Sequence, residues 1–476
     1  MRMGTTILAM VLIGLCPARG QFTDCDPVTL NGAFAVDTLA SRVAHLLEEP
    51  LHLDFDGSAP GAPDVWFIER KGLVRRIRAA TGKVETVGRV PVGSFGETGL
   101  LGIALDPDFD RTRRVYLTYV PAGKSELRVS RFGMQGDSLD MAGEKVLIRF
   151  PSTGAIYHGG AMLFDPAGNL FIAFGNGESD PRQGRQWISA DSRDFRGKIL
   201  RIKPTEDGYS IPAGNLFPLD QYPDSAGAKT RPEVYAMGVK QPFSLGIDPA
   251  AGRLLFGEMG PDNGGLDDEL NLASGPGNFG WPYFYGDNKP FDVWGTGKDP
   301  AHPVNASPLS NGLTDLPPAV PAARPLRQSA PITGSIYRRP LLPGRGALPG
   351  AFSGLWFSTD FNNGDIDTAR VEASGRLGSS GTLKGIRLSG PLDLRSGPDG
   401  AIYAINYAGW YNSTEKTTIV RIRWVEACAT GVRAGTRATA PARMGWDGWG
   451  TEVPRGPLEV EYRDVTGKLR WGRSGR

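Results

Sequence analysis

Along the chain an apolar pair is followed repeatedly by Asp-Pro or Pro-Asp-Gly, and then by a run of aromatic and β-branched residues. Clear copies are LGIALDPDFDRTRRVYLTYV from Leu101, AMLFDPAGNLFIAFGNGE from Ala161, SLGIDPAAGRLLFGEMG from Ser244 and LDLRSGPDGAIYAINY from Leu392, with looser copies from Leu51 and Leu348. The alternation on either side of each turn signal reads as strand, turn, strand. Asp, Pro and Gly supply the turn geometry. One such hairpin cannot bury its own apolar face, whereas a ring of them can, and a ring leaves only short edges. Six copies predict an all-β fold, a six-bladed β-propeller with a short C-terminal extension. Their spacing is irregular, so long loops leave some blades. The longest runs from Tyr283 to Ala330.

Composition agrees with many turns, since 65 Gly and 38 Pro stand among 476 residues without a collagen period. A net charge of +2 with no concentrated basic face argues against a nucleic-acid partner. The first residues read as an export signal: Arg2, an apolar run from Ile7 to Leu15, then Ala18-Arg19-Gly20 as a cleavage context, with cleavage expected before Gln21. The expected location is therefore secreted or periplasmic. No other stretch is long and apolar enough to cross a bilayer. Removal of the signal leaves Cys25 and Cys428 near the two ends of the ring, and an exported protein with an even cysteine count predicts a disulfide between them. The expected organisation is residues 1–20 signal peptide, 21–428 propeller and 429–476 a basic linker with a hairpin-like tail, in which Tyr462 and Leu469 flank a turn at Thr466-Gly467.

Six phrases carry a family resemblance: GETGLLGIALDPDF from Gly96, YHGGAMLFDPAGNLFIAFGNGE from Tyr157, RGKILRI from Arg196, YAMGVKQPFSLGIDP from Tyr235, GEMGPDNGGLDDELNLASGPGNFGWP from Gly257 and GPDGAIYAINY from Gly397. In order and content they resemble the glucose/sorbosone dehydrogenases over about residues 50 to 424. That resemblance implies oxidation of an aldose sugar at its anomeric carbon with pyrroloquinoline quinone (PQQ) and calcium. It puts His158 in the place of the catalytic base, and an imidazole is the natural base near neutral pH. It makes Glu97 a polar residue facing the site and puts Lys240 and Gln241 against the quinone. The carbonyls of Gly260 and Pro261 would bind the active-site calcium, and Glu269 with the carbonyl of Phe279 a second, structural calcium.

The pattern also departs from the family. PQQ carries three carboxylates and needs several cations. The family's Arg-Asn pair is Lys240-Gln241 here, two arginines fall on Gly390 and Leu392, a lysine falls near Asp360 or Phe361, and the histidine before the calcium-binding Gly-Pro pair is Met259. Arg338, Arg395, Arg182 and Arg185 are the candidates to replace them.

Three functions follow from these residues. The first is the sugar dehydrogenase. The second is a cofactor-less propeller that binds a glycan or protein, with Trp281, Tyr283, Tyr285, Trp294, Trp410 and Tyr411 as stacking surfaces. The third is a calcium-dependent lactonase-like hydrolase, which needs Glu97, Glu258 and Asp360 to converge. No Gly-x-Ser-x-Gly elbow, dinucleotide fingerprint, zinc-type cysteine cluster or haem-attachment motif is present.

Overall fold

The computed structural model describes residues 32–56, 61–177, 186–223, 227–261, 267–291, 299–327, 329–409 and 412–426, together with four short strands between 444 and 471. Cys25, Cys428 and the expected signal peptide lie outside the described residues.

Six blades surround a central channel, as the repeated hairpins predict; five are four-stranded antiparallel sheets, and blade three carries two further short strands, Tyr209–Ser210 and the parallel Gly277–Asn278. Their innermost strands are Pro50–Asp56, Leu100–Leu105, Gly159–Phe164, Pro242–Asp248, Pro331–Ile336 and Pro391–Ser396. Each contacts the next around the ring, and the last contacts the first. Four of the six open with proline, which is tolerated at a strand's first residue because no ladder donor is lost there. Each Asp-Pro or Pro-Asp-Gly signal turns an inner strand into the second strand of its blade, as in Leu100–Leu105 with Arg114–Tyr119.

The inner strands approach so closely that some positions exclude a side chain. A Cβ on Gly102 of blade two would lie 1.8 Å from the carbonyl oxygen of Gly160 in blade three. Between blades the sheets interlock through buried aromatics; Trp66 meets Phe109 edge to face at 5.3 Å, and Tyr116 meets Phe164 at 5.2 Å.

The ring is closed by a strand the repeat does not announce. Gly32–Ser41 forms the outer strand of blade six, antiparallel to Thr418–Glu426, with Gly32 opposite Glu426. The segment from Tyr283 onward is an insertion within blade four rather than a free loop. It folds over blades three and four, where the Tyr283 hydroxyl donates to Asn305, and it ends as that blade's outer strand, Arg324–Arg327. Past the ring, Glu461–Arg463 pairs with Leu469–Trp471. Among the described residues no helix is long and apolar enough to cross a membrane.

Candidate active site at one mouth of the channel

All inner strands run the same way, so their first residues gather at one mouth and their last at the other. The expected base, quinone-contacting residues and hydrolase acids lie at the starting mouth. His158 immediately precedes the inner strand of blade three, and Lys240 and Gln241 that of blade four. Glu97 lies just before blade two, while Glu258 and Asp360 end the second strands of blades four and five.

Backbone geometry fixes His158. Tyr157 adopts φ +58° and Gly159 φ +66°, so the chain turns sharply on both sides. The Gly175 N–H donates to the His158 carbonyl at 3.0 Å, and the Gly177 N–H to that of Tyr157 at 2.9 Å. The Tyr157 N–H donates to Glu97 Oε2 at 2.6 Å. A Cβ on Gly159 would sit 2.8 Å from the Gly175 nitrogen, so glycine is required there for space as well as conformation.

His158 is 5% exposed, and neither ring nitrogen has a hydrogen-bond partner. Burial pulls its pKa down to about 4, so the ring is neutral at physiological pH. Gln241 Oε1, Glu258 Oε2 and Thr359 Oγ1 are likewise buried and unpartnered at this mouth. An orphaned buried polar atom is costly; others occur elsewhere in the ring, as at Trp66 and Thr118, but these four side chains lie at strand ends of one mouth, where a polar ligand would satisfy them.

The acids at this mouth are already committed to the chain. Glu258 accepts the Lys240 N–H. Asp268 accepts the Gly260 N–H at 2.6 Å. Asp360 accepts from the Ser329 hydroxyl and from the backbone N–H groups of Ala330, Asn362 and Asn363. Burial raises Glu258 and Glu269 above the usual carboxylate range and pushes Asp268 up to about 7. Glu97, Glu258 and Asp360 do gather at one mouth, as a hydrolase would need, yet each holds backbone N–H groups.

Two of the four expected calcium ligands are engaged elsewhere. The Gly260 carbonyl accepts Lys240 Nζ at 2.8 Å. Both carboxylate oxygens of Glu269 are bonded, one by the Gly286 N–H and one by Asn271 Nδ2. Pro261 is buried beside Gly260, and Phe279 packs against Phe256 at 4.8 Å. No group of three or more metal-ligating side chains occurs among the described residues.

Two groups of expectations are corrected. Arg338 and Arg395 do not face this mouth; they line a cavity of about 680 Å³ at the opposite one, with Asp54, Asp106 and Asp165. There Arg338 is paired with Asp248 and Arg395 with Asp393. Trp281 and Tyr283 are both 3% exposed, so they are core rather than stacking surfaces; Trp281 stacks on Phe291. Trp294, Trp410, Tyr411, Arg182 and Arg185 lie outside the described residues. Asp268 stands in the sequence among the acids beside the expected calcium position, whereas nothing in the sequence marks Thr359, because its place depends on which neighbouring segment approaches it.

The family model described as Glucose / Sorbosone dehydrogenase matches residues 47–307. The aldose sugar dehydrogenase YliI of Escherichia coli is 31% identical over 263 residues, which is 54% of this chain and 62% of that protein. Quinoprotein glucose dehydrogenase B of Acinetobacter calcoaceticus is 27% identical over 246 residues, 46% of this chain and 48% of that protein. The chain thus spans about half to under two thirds of these relatives. The PQQ-bound form of aldose sugar dehydrogenase from Streptomyces coelicolor superposes with a TM-score of 0.58 at 22% identity, over 82% of this chain and 98% of that one, a likeness of fold.

Proposed function

The chain belongs to the glucose/sorbosone dehydrogenase family, and from that premise we propose that it is an exported oxidoreductase that oxidises an aldose at the anomeric carbon. One observation carries the reading: a buried, neutral histidine with both ring nitrogens unpartnered, at a channel mouth ringed by other unpartnered polar atoms. In the sugar half of the reaction His158 takes the proton of the anomeric hydroxyl, while a hydride leaves the anomeric carbon for a bound oxidant. The sugar becomes the lactone. Glu97 positions the base through the backbone of Tyr157. Gln241 Oε1 is an acceptor available to a sugar hydroxyl.

PQQ is the oxidant that the family and the quinoprotein relative suggest, and it would supply a quinone able to accept the hydride. Its three carboxylates do not fit the charge of this face. Among the described cations nearby, Arg196 is paired with Asp194 and Arg70 with Glu49, and the Lys240 ammonium is bonded to a backbone carbonyl. The surrounding Glu97, Glu258, Asp268 and Asp360 add acids. This mismatch supports a second reading, a propeller that binds a glycan without oxidising it.

Titration of PQQ into the mature protein, followed by calorimetry and absorbance, separates the two. Saturable binding, with aldose turnover that His158→Ala abolishes, supports the oxidoreductase. No binding at tens of micromolar together with a glycan-array hit overturns it in favour of the binding propeller. Export is checked by N-terminal sequencing of the secreted protein; a mature chain beginning at Gln21 is expected.

A further inference from the structure

We infer that the ammonium of Lys240 is the resident cation of the active mouth and takes the position in which calcium would otherwise be held. Lys240 is fully buried. Its Nζ donates to the Gly260 carbonyl at 2.8 Å and sits 4.2 Å from the centre of the Tyr157 ring and 5.9 Å from that of Trp281. Its own N–H is held by Glu258, and the N–H of Gly260 is held by Asp268. The side chain is thus enclosed by a carbonyl, two aromatic faces and acids, the set of groups that stabilises a desolvated cation.

Gly260 supplies one of the two carbonyls that the family resemblance assigns to calcium. A calcium ion needs its oxygens at 2.3–2.6 Å and several of them at once. Here one of those oxygens already faces an ammonium, and a divalent ion brought to the same carbonyl would meet that positive charge at close range. The second expected calcium position is also satisfied internally, since both oxygens of Glu269 are bonded to Gly286 and Asn271. Glycine at 260 is itself fixed by space, because a Cβ there would lie 2.1 Å from the Asp267 carbonyl. On this account a covalently attached cation ties blade four to the mouth without metal.

The consequence is testable without any turnover assay, so it stands or falls apart from the proposed oxidoreductase activity. Wild type, Lys240→Met and Lys240→Arg, each in the full mature chain and stripped with chelator, are compared by thermal unfolding with and without millimolar calcium and by terbium luminescence. Lys240→Met keeps the unbranched stem of the side chain and removes the ammonium. It is expected to gain a calcium-dependent rise in Tm and to bind terbium roughly tenfold more tightly than wild type, whereas Lys240→Arg matches wild type. Equal calcium responses in wild type and Lys240→Met, or a larger one in wild type, would overturn the inference. Should Lys240→Met fail to fold in chelator, refolding in calcium supports the inference; failure in both, alongside a wild type strongly stabilised by calcium, overturns it.

Discussion

Glu97 and Tyr157 lie on different blades, sixty residues apart, and are joined by a hydrogen bond of 2.6 Å from the Tyr157 N–H to the Glu97 carboxylate. An acid on the approach to blade two therefore sets the backbone immediately before the imidazole of blade three.

Removing that acceptor loosens the base without removing it. Glu97→Ala is expected to cost about 1–2 kcal/mol of stability, the price of an unsatisfied buried N–H, and to lower kcat about tenfold with KM little changed. Glu97→Gln keeps an acceptor oxygen and recovers most of the loss. Steady-state kinetics on the three proteins checks this; a KM effect alone would put Glu97 on the substrate rather than behind the base.

His158 gives the fold a pH dependence. Its folded pKa lies near 4, against 6.5 for the free side chain. Between those values the unfolded chain takes up a proton that the folded chain does not, so stability falls as pH drops from about 6.5 to about 4 and levels off below. The expected contribution is roughly 3 kcal/mol. Denaturant midpoints across that range should flatten by this amount in His158→Gln. The acid limb of the activity profile should fall near pH 4 rather than 6.5; a limb at 6.5 would mean that the imidazole is solvated in the working enzyme.

The contact of Gly102 with Gly160 predicts a packing defect away from the chemistry. Gly102→Ala drives a methyl group into a neighbouring backbone carbonyl that cannot swing aside. A loss of roughly 2 kcal/mol or more is expected in urea unfolding, while Gly168→Ala, where a Cβ meets open space, reports only the strain of its φ of +77°. Equal losses would show that the blades slide apart freely.

Much of this architecture is legible in the sequence because the inner and second strands of a blade are neighbours in the chain. The Asp106-Pro107 and Asp248-Pro249 turns mark both strands at once. The outer strands are less visible. Arg324–Arg327 lies far beyond the strand it joins, inside a segment whose Pro and Ser content reads as loop. Gly32–Ser41 finds its partner at the other end of the chain. At the site, the family phrases locate His158, Lys240 and Gln241. They do not show that Trp281 is core, that Arg338 and Arg395 face the other mouth, or that the Gly260 carbonyl is taken, since each of these depends on tertiary contacts.

The same register bears on the expected disulfide. Gly32 stands opposite Glu426, with Cys25 a few residues before one and Cys428 just after the other. Mass spectrometry of the secreted protein is expected to show one disulfide, and reduction or Cys428→Ala to cost about 4 kcal/mol if the bond is unstrained. Two free thiols in the folded protein would leave closure to the strand pair alone.

That strand pair also dictates an order of events. In five blades the four main strands follow one another along the chain and can form as it emerges, but blade six needs both ends. Until the last of Thr418–Glu426 is available, Gly32–Ser41 has no partner and the ring stays open, with unpaired strand edges exposed. Closure is therefore the final, longest-range step of folding, and any chain truncated before Glu426 is left with an open seam, susceptible to proteases and to joining with another copy.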